Sequence, residues 1–284
     1  MSRIAYVNGR YLPHANACVH IEDRGYQFSD GVYEVCEVRA GHLIDERRHL
    51  GRLVRSLGEL RIALPMPLAA LGVVLRETVR RNRVLNGLVY VQVTRGVARR
   101  DHAFPPPGTP PSLVVTARNL DFSANDRSAN EGIAVITLPD NRWDRVDIKA
   151  VALLPNVLAK QAARDQGAKE AWFVDHEGRI TEGASTNAWI VRDGKVVTRP
   201  AEHGILRGIT RMVLFEIIRA EGLELDERPF SVDEAYQAQE AFVTAASQIV
   251  MPVVRIDNRP IGTGLPGPIV ASLRGQFHRY AEVS

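Results

Sequence analysis

Apolar residues recur at two different periods along this chain, and the switches between them mark its elements. IAYVNGRYLP (4–13) holds two apolar runs joined by Asn8-Gly9. Asn-Gly accepts the positive φ angles of a tight type I′ turn, so a β-hairpin is predicted. VYEVCEVR (32–39) and residues 42–44 alternate like strands around Ala40-Gly41. The period then lengthens: Leu50, Leu53, Val54, Leu57 and Leu60 sit at helical spacing with Arg and Glu between them, the pattern of an amphipathic helix. A second helix is predicted over 67–82, with Leu71, Val74, Leu75, Thr78 and Val79 on one face. LVYVQVTRG (88–96) and SLVVTAR (112–118) read as strands. Between them DHAFPPPGTPP (101–111) is too proline-rich for a helix interior.

Residues 119–130 are polar and aperiodic, and read as an interdomain linker. After them GIAVITLP (132–139) and VDIKAVALL (146–154) read as strands. Pro155 opens a helix (155–166), a position where its missing N–H is not needed, and Gly167 ends it. AWFVD (171–175), RITEG (179–183) and NAWIVRDGKVV (187–197) are predicted strands, the last a hairpin through Asp193-Gly194. GITRMVLFEIIRAEG (208–222) is a further helix. Ser231 with Glu234 has the form of a capping box. EAFVTAA (240–246) and PVVRID (252–257) are strands, and 267–281 a terminal helix. Clustered strands and helices without strict βαβ alternation predict two α+β domains, 1–120 and 121–284.

Composition narrows the class. At 284 residues, 45% hydrophobic and 24% charged, each half is long enough to bury a core. Two cysteines, Cys18 and Cys36, cannot make a disulfide framework or a four-thiolate zinc site. A reducing cytoplasm is therefore expected, with no metal and no secretory signal in MSRIAYVNGRYLP. No stretch reaches the roughly 18 uninterrupted apolar residues of a membrane span. The pI is about 9.0, but the net charge is only +3. Its basic residues are dispersed among acids, and no zinc-finger or RNA-binding signature accompanies them, so no nucleic-acid partner is expected.

Two motifs carry no chemistry. GTGLPG (262–267) matches a dinucleotide fingerprint by letter, but prolines stiffen it and no acidic residue follows at the required distance. GASTN (183–187) lacks the last glycine of a nucleophile elbow. Four segments are more informative. DRGYQFSDGVYE (23–34) is a loop leading into a strand. Arg100 and His102 stand at i, i+2, on one side of an extended chain. Lys149 lies inside an apolar segment, where an ammonium is costly unless masked or snorkelling. TEGASTN (181–187) is a carboxylate followed by small hydroxyl residues. In addition, Leu206-Arg-Gly-Ile-Thr210 enters a helix, where free backbone N–H groups favour an anion.

Taken in order, DRGYQFSDGVYE, VTRGVARRDH (93–102), the DIK lysine with LAKQAA (158–163), TEGASTN, LRGITR (206–211) and FVTAAS (242–247) resemble the fold-type IV pyridoxal-phosphate aminotransferases, most closely the D-amino-acid branch. The resemblance spans nearly the whole chain. It implies a two-domain α+β fold with the active site between the domains. It implies that Lys149 carries pyridoxal 5'-phosphate as a Schiff base and moves the substrate Cα proton, needing an amine for both tasks. Glu182 would face the pyridine nitrogen and keep it protonated, so that the ring accepts electrons. Arg52, Ile209 and Thr210 would hold the phosphate, with Ser185, Leu206 and Ala246 around the cofactor. Tyr33, Arg100 and His102 would trap the substrate carboxylate, Arg offering a rigid fork of donors. Arg100 and His102 would act across a homodimer interface.

Ala184, Ala245 and Ala246 depart from the hydroxyl residues common in close relatives, and the Ala245-Ala246 pair is similar to branched-chain L-aminotransferases. The Arg100-x-His102 pair favours D-amino acids. The expected reaction moves an amino group from a D-amino acid to 2-oxoglutarate or pyruvate by ping-pong kinetics. Branched-chain L-transamination and aminodeoxychorismate lyase chemistry are the rivals within the fold.

Overall fold

The computed structural model describes residues 3–202 and 204–284. The chain divides into two compact units. One runs up to Phe122 and also takes in Ile148–Ala152 and Glu282–Ser284; the other holds Ser123–Asp147 and Leu153–Ala281.

The N-terminal unit is built on β1 (Ile4–Val7), β2 (Arg10–Pro13), α1 (Arg24–Phe28), β3 (Gly31–Arg39), β4 (His42–Leu43), α2 (Glu46–Glu59), α3 (Leu68–Arg81), β5 (Gly87–Thr94) and β6 (Ser112–Asn119). Its strands form one sheet in the order β2-β1-β6-β5-β3-β4, every pair antiparallel. Asn8 and Gly9 take the positive φ that the hairpin demands. Leu50, Leu53 and Leu57 of α2 and Leu71, Leu75 and Val79 of α3 pack on Val32, Cys36, Val89 and Val91 of the sheet. Both helices thus bury the faces that their periodicity marks.

The C-terminal unit holds α4 (Phe122–Glu131, its first residue shared with the other unit), β7 (Ile133–Pro139), α5 (Leu154–Asp165), β8 (Glu170–Val174), β9 (Ile180–Gly183), β10 (Asn187–Arg192), β11 (Lys195–Thr198), α6 (Ile209–Ala220), β12 (Glu224–Glu227), α7 (Val232–Tyr236), β13 (Glu240–Ala245), β14 (Ile249–Ile256), β15 (Arg259–Pro260) and α8 (Pro268–Tyr280). The sheet order is β12-β11-β10-β13-β14-β7-β8-β9, with β15 on β14. The β7–β8 and β11–β12 pairs are parallel, with α5 and α6 as their crossovers. Trp172, Trp189, Phe230 and Phe242 fill the core. The capping box at Ser231 is formed from both sides.

Three expectations change. Residues 119–130 do contain the division between the units, at Phe122–Ser123, but they are not an irregular linker: α4 occupies most of them. It buries Ala129 alone, so it carries no apolar stripe for periodicity to detect. VDIKAVALL is not a strand. Its one β-bridge joins Val32 and Ala150, and Leu154 is already helical. Finally, Lys149 groups with the N-terminal unit rather than with the C-terminal domain expected to carry it. The Tyr33 N–H donates to Lys149 O at 3.0 Å, and the Val151 N–H to Gly31 O at 3.0 Å. Short-range periodicity carries no trace of so distant a pairing. Among the described residues, no helix is long and apolar enough to cross a membrane.

Candidate active site

Lys149 is fixed by its backbone. Besides the bond from Tyr33, its own N–H donates to the buried Ser56 Oγ at 3.3 Å. Its half-buried side chain lies over the Tyr33 ring, Nζ 4.4 Å from the centroid. No ion pair or hydrogen bond engages that amine among the described residues.

The strand β3 that presents Tyr33 also presents Glu34. Alternation places Glu34 between Val32 and Cys36 on the core side, and the carboxylate is fully buried. Arg52 reaches it from α2 as a fork, Nε to Oε1 at 2.6 Å and Nη2 to Oε2 at 2.8 Å. His49, one turn earlier, donates from Nδ1 to Oε2 at 2.7 Å. Burial pushes the Glu34 carboxyl up, but Arg52 and His49 outweigh it and hold it at about 2. Burial lowers the His49 pKa, and Glu34 opposes that fall. Arg52 is therefore held in one orientation by an ionised carboxylate.

Arg100 and His102 are exposed, on the loop after β5. Both lie against Phe28 at the end of α1: the Arg100 guanidinium is 4.9 Å from the ring centroid and the His102 ring 5.4 Å.

In the C-terminal unit Glu182 is the penultimate residue of β9, buried at 5% exposure. Arg142 Nη1 donates to Oε1 at 2.5 Å; Asn187 Nδ2 and the Leu206 N–H donate to Oε2 at 3.0 and 3.1 Å. Burial raises the Glu182 pKa, and Arg142 with the Leu206 amide opposes that rise. Asp140 grips Arg142 from the other side, at 2.9 and 2.7 Å. Asn187 Nδ2 also donates to Leu206 O at 2.9 Å, tying the glutamate turn to the loop that enters α6.

At that entry Gly208 is the N-cap of α6 and supplies no side-chain cap. A Cβ there would stand 2.1 Å from Asn187 Oδ1, so only glycine fits. Ile209 and Thr210 begin the helix, both buried, with their amides among the four that a helix leaves unbonded. Ser185 turns away from Glu182 and donates to Glu170 Oε2 at 2.8 Å. Ala246 sits in the tight turn after β13 and is half-buried; it offers a methyl and its backbone.

Neither Arg142 nor Asn187 was singled out from the sequence for a role, and Glu34 and His49 were missed. An acid on the apolar face of an alternating strand was the available signal for Glu34. Arg142 lies in a loop with no periodicity to mark it.

This donor set fits pyridoxal phosphate. Taken unit by unit, the N-terminal one offers an amine with no polar partner among the described residues, and the C-terminal one a buried carboxylate held in place and an uncapped helix N-terminus closed by glycine, features suited to an imine-forming aldehyde, a pyridine nitrogen and a phosphate.

Known proteins agree with the chemistry. The family model for amino-transferase class IV matches residues 31–256. D-alanine aminotransferase of Staphylococcus haemolyticus is 39% identical over 278 residues, 98% of this chain and 97% of the relative. That of Bacillus licheniformis is 39% identical over 267 residues, 94% and 93% of the two chains. Among solved structures, the branched-chain amino acid aminotransferase of Escherichia coli superposes with a TM-score of 0.91 at 23% identity, covering 98% and 94% of the chains. That of the archaeon Thermoproteus uzoniensis, solved with norvaline, gives 0.88 at 25% identity, covering 100% and 99%. The chain belongs to amino-transferase class IV, the fold-type IV aminotransferases that use pyridoxal phosphate.

Proposed function

We propose that this aminotransferase moves the amino group of a D-amino acid to a 2-oxo acid, 2-oxoglutarate or pyruvate. The observation that carries the reading is the 39% identity to D-alanine aminotransferases along almost all of both chains. The branched-chain structures share the fold at 23–25% identity.

Each residue has a part in this reading. Lys149 Nζ binds the cofactor and moves the proton at the substrate Cα. Glu182, Asn187 and Arg142 form a fixed charged network for the pyridine edge. Arg52, Ile209 and Thr210 hold the phosphate, and Leu206, Ser185 and Ala246 line its surroundings. When bound, pyridoxal phosphate supplies an electron sink for the bond broken at Cα. Tyr33, Arg100 and His102 bind the substrate carboxylate. A substrate held by its amine and its carboxylate has the side of its Cα hydrogen decided, so the location of the carboxylate-binding residues selects the chirality.

A homodimer is the active unit in this reading, with Arg100 and His102 serving the partner's site. Two features support it. Both residues are exposed in the single chain, and Leu154, Val157 and Leu158 form an apolar helical stripe on α5 at 69%, 58% and 60% exposure, more than a solvated helix normally shows. A cytoplasmic location is consistent with two unpaired cysteines.

The test is a coupled assay of the holoenzyme with 2-oxoglutarate and either D-alanine or L-leucine. D-alanine should turn over faster. Faster turnover of L-leucine would overturn the reading and leave the branched-chain alternative.

A further inference from the structure

The loop that carries Arg100 and His102 is exposed and contains three consecutive prolines, Pro105–Pro107. Nothing in its own sequence would hold Arg100 and His102 at a defined place, yet the fold anchors the loop from beneath.

Arg24, in the first turn of α1, is 3% exposed. Its Nη1 donates to Asp101 O at 2.6 Å and its Nη2 to His102 O at 3.4 Å. These are two consecutive carbonyls, one on either side of the His102 Cα. The other edge of the same guanidinium donates from Nε to Asp30 at 2.8 Å. Asp30 also takes a two-point contact from the buried Arg95, at 2.7 and 2.9 Å. The Arg95 guanidinium lies 3.7 Å from the ring centroid of Phe104, further along the loop. Finally, Phe28 sits between Arg24 and Arg100, with their guanidinium carbons 4.8 and 4.9 Å from its centroid.

We infer that Arg24 is a positioning residue for substrate specificity: it holds the Arg100–His102 loop in the conformation that receives the substrate carboxylate, and Asp30 and Arg95 hold Arg24. The inference rests on the reading that Arg100 binds that carboxylate. The physical argument is preorganisation. A loop held at two carbonyls and one ring does not have to be ordered by the ligand, so the ordering cost does not come out of the binding energy. Arginine spreads its donors over three nitrogens of a rigid fork and so spans Asp30 and both carbonyls at once, which the single nitrogen of lysine cannot do. The surrounding glycine is explained by the same packing: a Cβ at Gly25 would meet Thr94 Cγ2 at 2.2 Å, so α1 could not lie close enough to β5 for Arg24 to reach the loop.

The test compares Arg24→Met, Arg24→Lys and Arg100→Ala holoenzymes. Arg24→Met should raise KM for D-alanine and for 2-oxoglutarate alike by about tenfold, with kcat within about twofold, because the loss falls on binding shared by both states. The cofactor absorption band should be retained. Deuterium exchange at the amides of residues 99–104 should accelerate while α2 stays protected. Arg24→Lys keeps the charge for Asp30 but cannot span both carbonyls, so it should fold and still raise KM; it decides the matter if Arg24→Met does not fold. Unchanged KM in a folded Arg24 variant, or loss of cofactor and kcat with KM unmoved, would overturn the inference. If Arg100→Ala raises KM and neither Arg24 variant does, only the inference has failed. If Arg100→Ala leaves KM unchanged, the carboxylate reading has failed and the inference falls with it.

Discussion

Glu182 accepts hydrogen bonds from three donors and is braced through Arg142 by Asp140, whereas the Lys149 amine meets the face of Tyr33 and, among the described residues, no polar partner. Both are ionisable side chains at least partly withdrawn from solvent, and the general rule for such groups is satisfaction. Only one obeys it. The difference separates two kinds of work. A group that stabilises a charge elsewhere gains from a rigid place, because nothing then has to reorganise during reaction. A group that must form and break its own bonds loses by having a competing partner. The contrast supports the proposed parts, Lys149 as the reacting residue and Glu182 as a fixed one.

The sharpest way to break the contrast is to remove the amine. Lys149→Ala should lower kcat by about 10⁴-fold or more, since it removes the amine proposed to move the Cα proton. Equilibrium dialysis should still find cofactor bound through its phosphate and ring contacts. Appreciable turnover by this variant would make Lys149 dispensable and the contrast empty.

Removing the charge at the fixed residue should cost less. Glu182→Gln keeps the size and two of the hydrogen-bonding sites. A fall in kcat of roughly 10²-fold, about 3 kcal/mol, is expected, with a smaller change in substrate KM. Steady-state kinetics that leave kcat unchanged would remove Glu182 as the ring partner.

The smallest effect should come from the brace. Burial already raises the Glu182 pKa, and Arg142 opposes that rise. In Arg142→Met the opposition is gone, so the pKa climbs further. The ionised form is the working one, so activity that falls as pH drops should fall at a higher pH than in the wild type. A pH profile of kcat whose acid limb does not move, or moves to lower pH, would show that Arg142 does not set the state of Glu182.

The elements and the reacting residues differ in how far they can be read from the chain. Strands and amphipathic helices were legible because Leu50, Leu53 and Leu57, or Leu71, Leu75 and Val79, repeat at the spacing of the face they bury. Lys149 and Glu182 stood out only as members of an ordered set of motifs that resembles a family. Their partners were not legible. Arg142 reaches Glu182 across 40 residues of sequence, and Arg24 reaches Asp101 across 77. Such contacts are products of tertiary packing and leave no period in the sequence. α4 was missed for the opposite reason, since a helix that buries one alanine has a local cause and no stripe. Glu34 is the case in between. Its place on the core face of β3 follows from alternation, but its meaning depends on His49 and Arg52 arriving from α2.

The central claim is that the unpartnered amine is the one that carries the cofactor, and chemical trapping tests it most directly. The holoenzyme is reduced with borohydride, digested, and its peptides mapped by mass. The account predicts a pyridoxyl group on the peptide containing Lys149, located at Lys149 by fragmentation. A label on Lys160, whose amine already binds Lys169 O at 2.7 Å, or on Lys169 would contradict it.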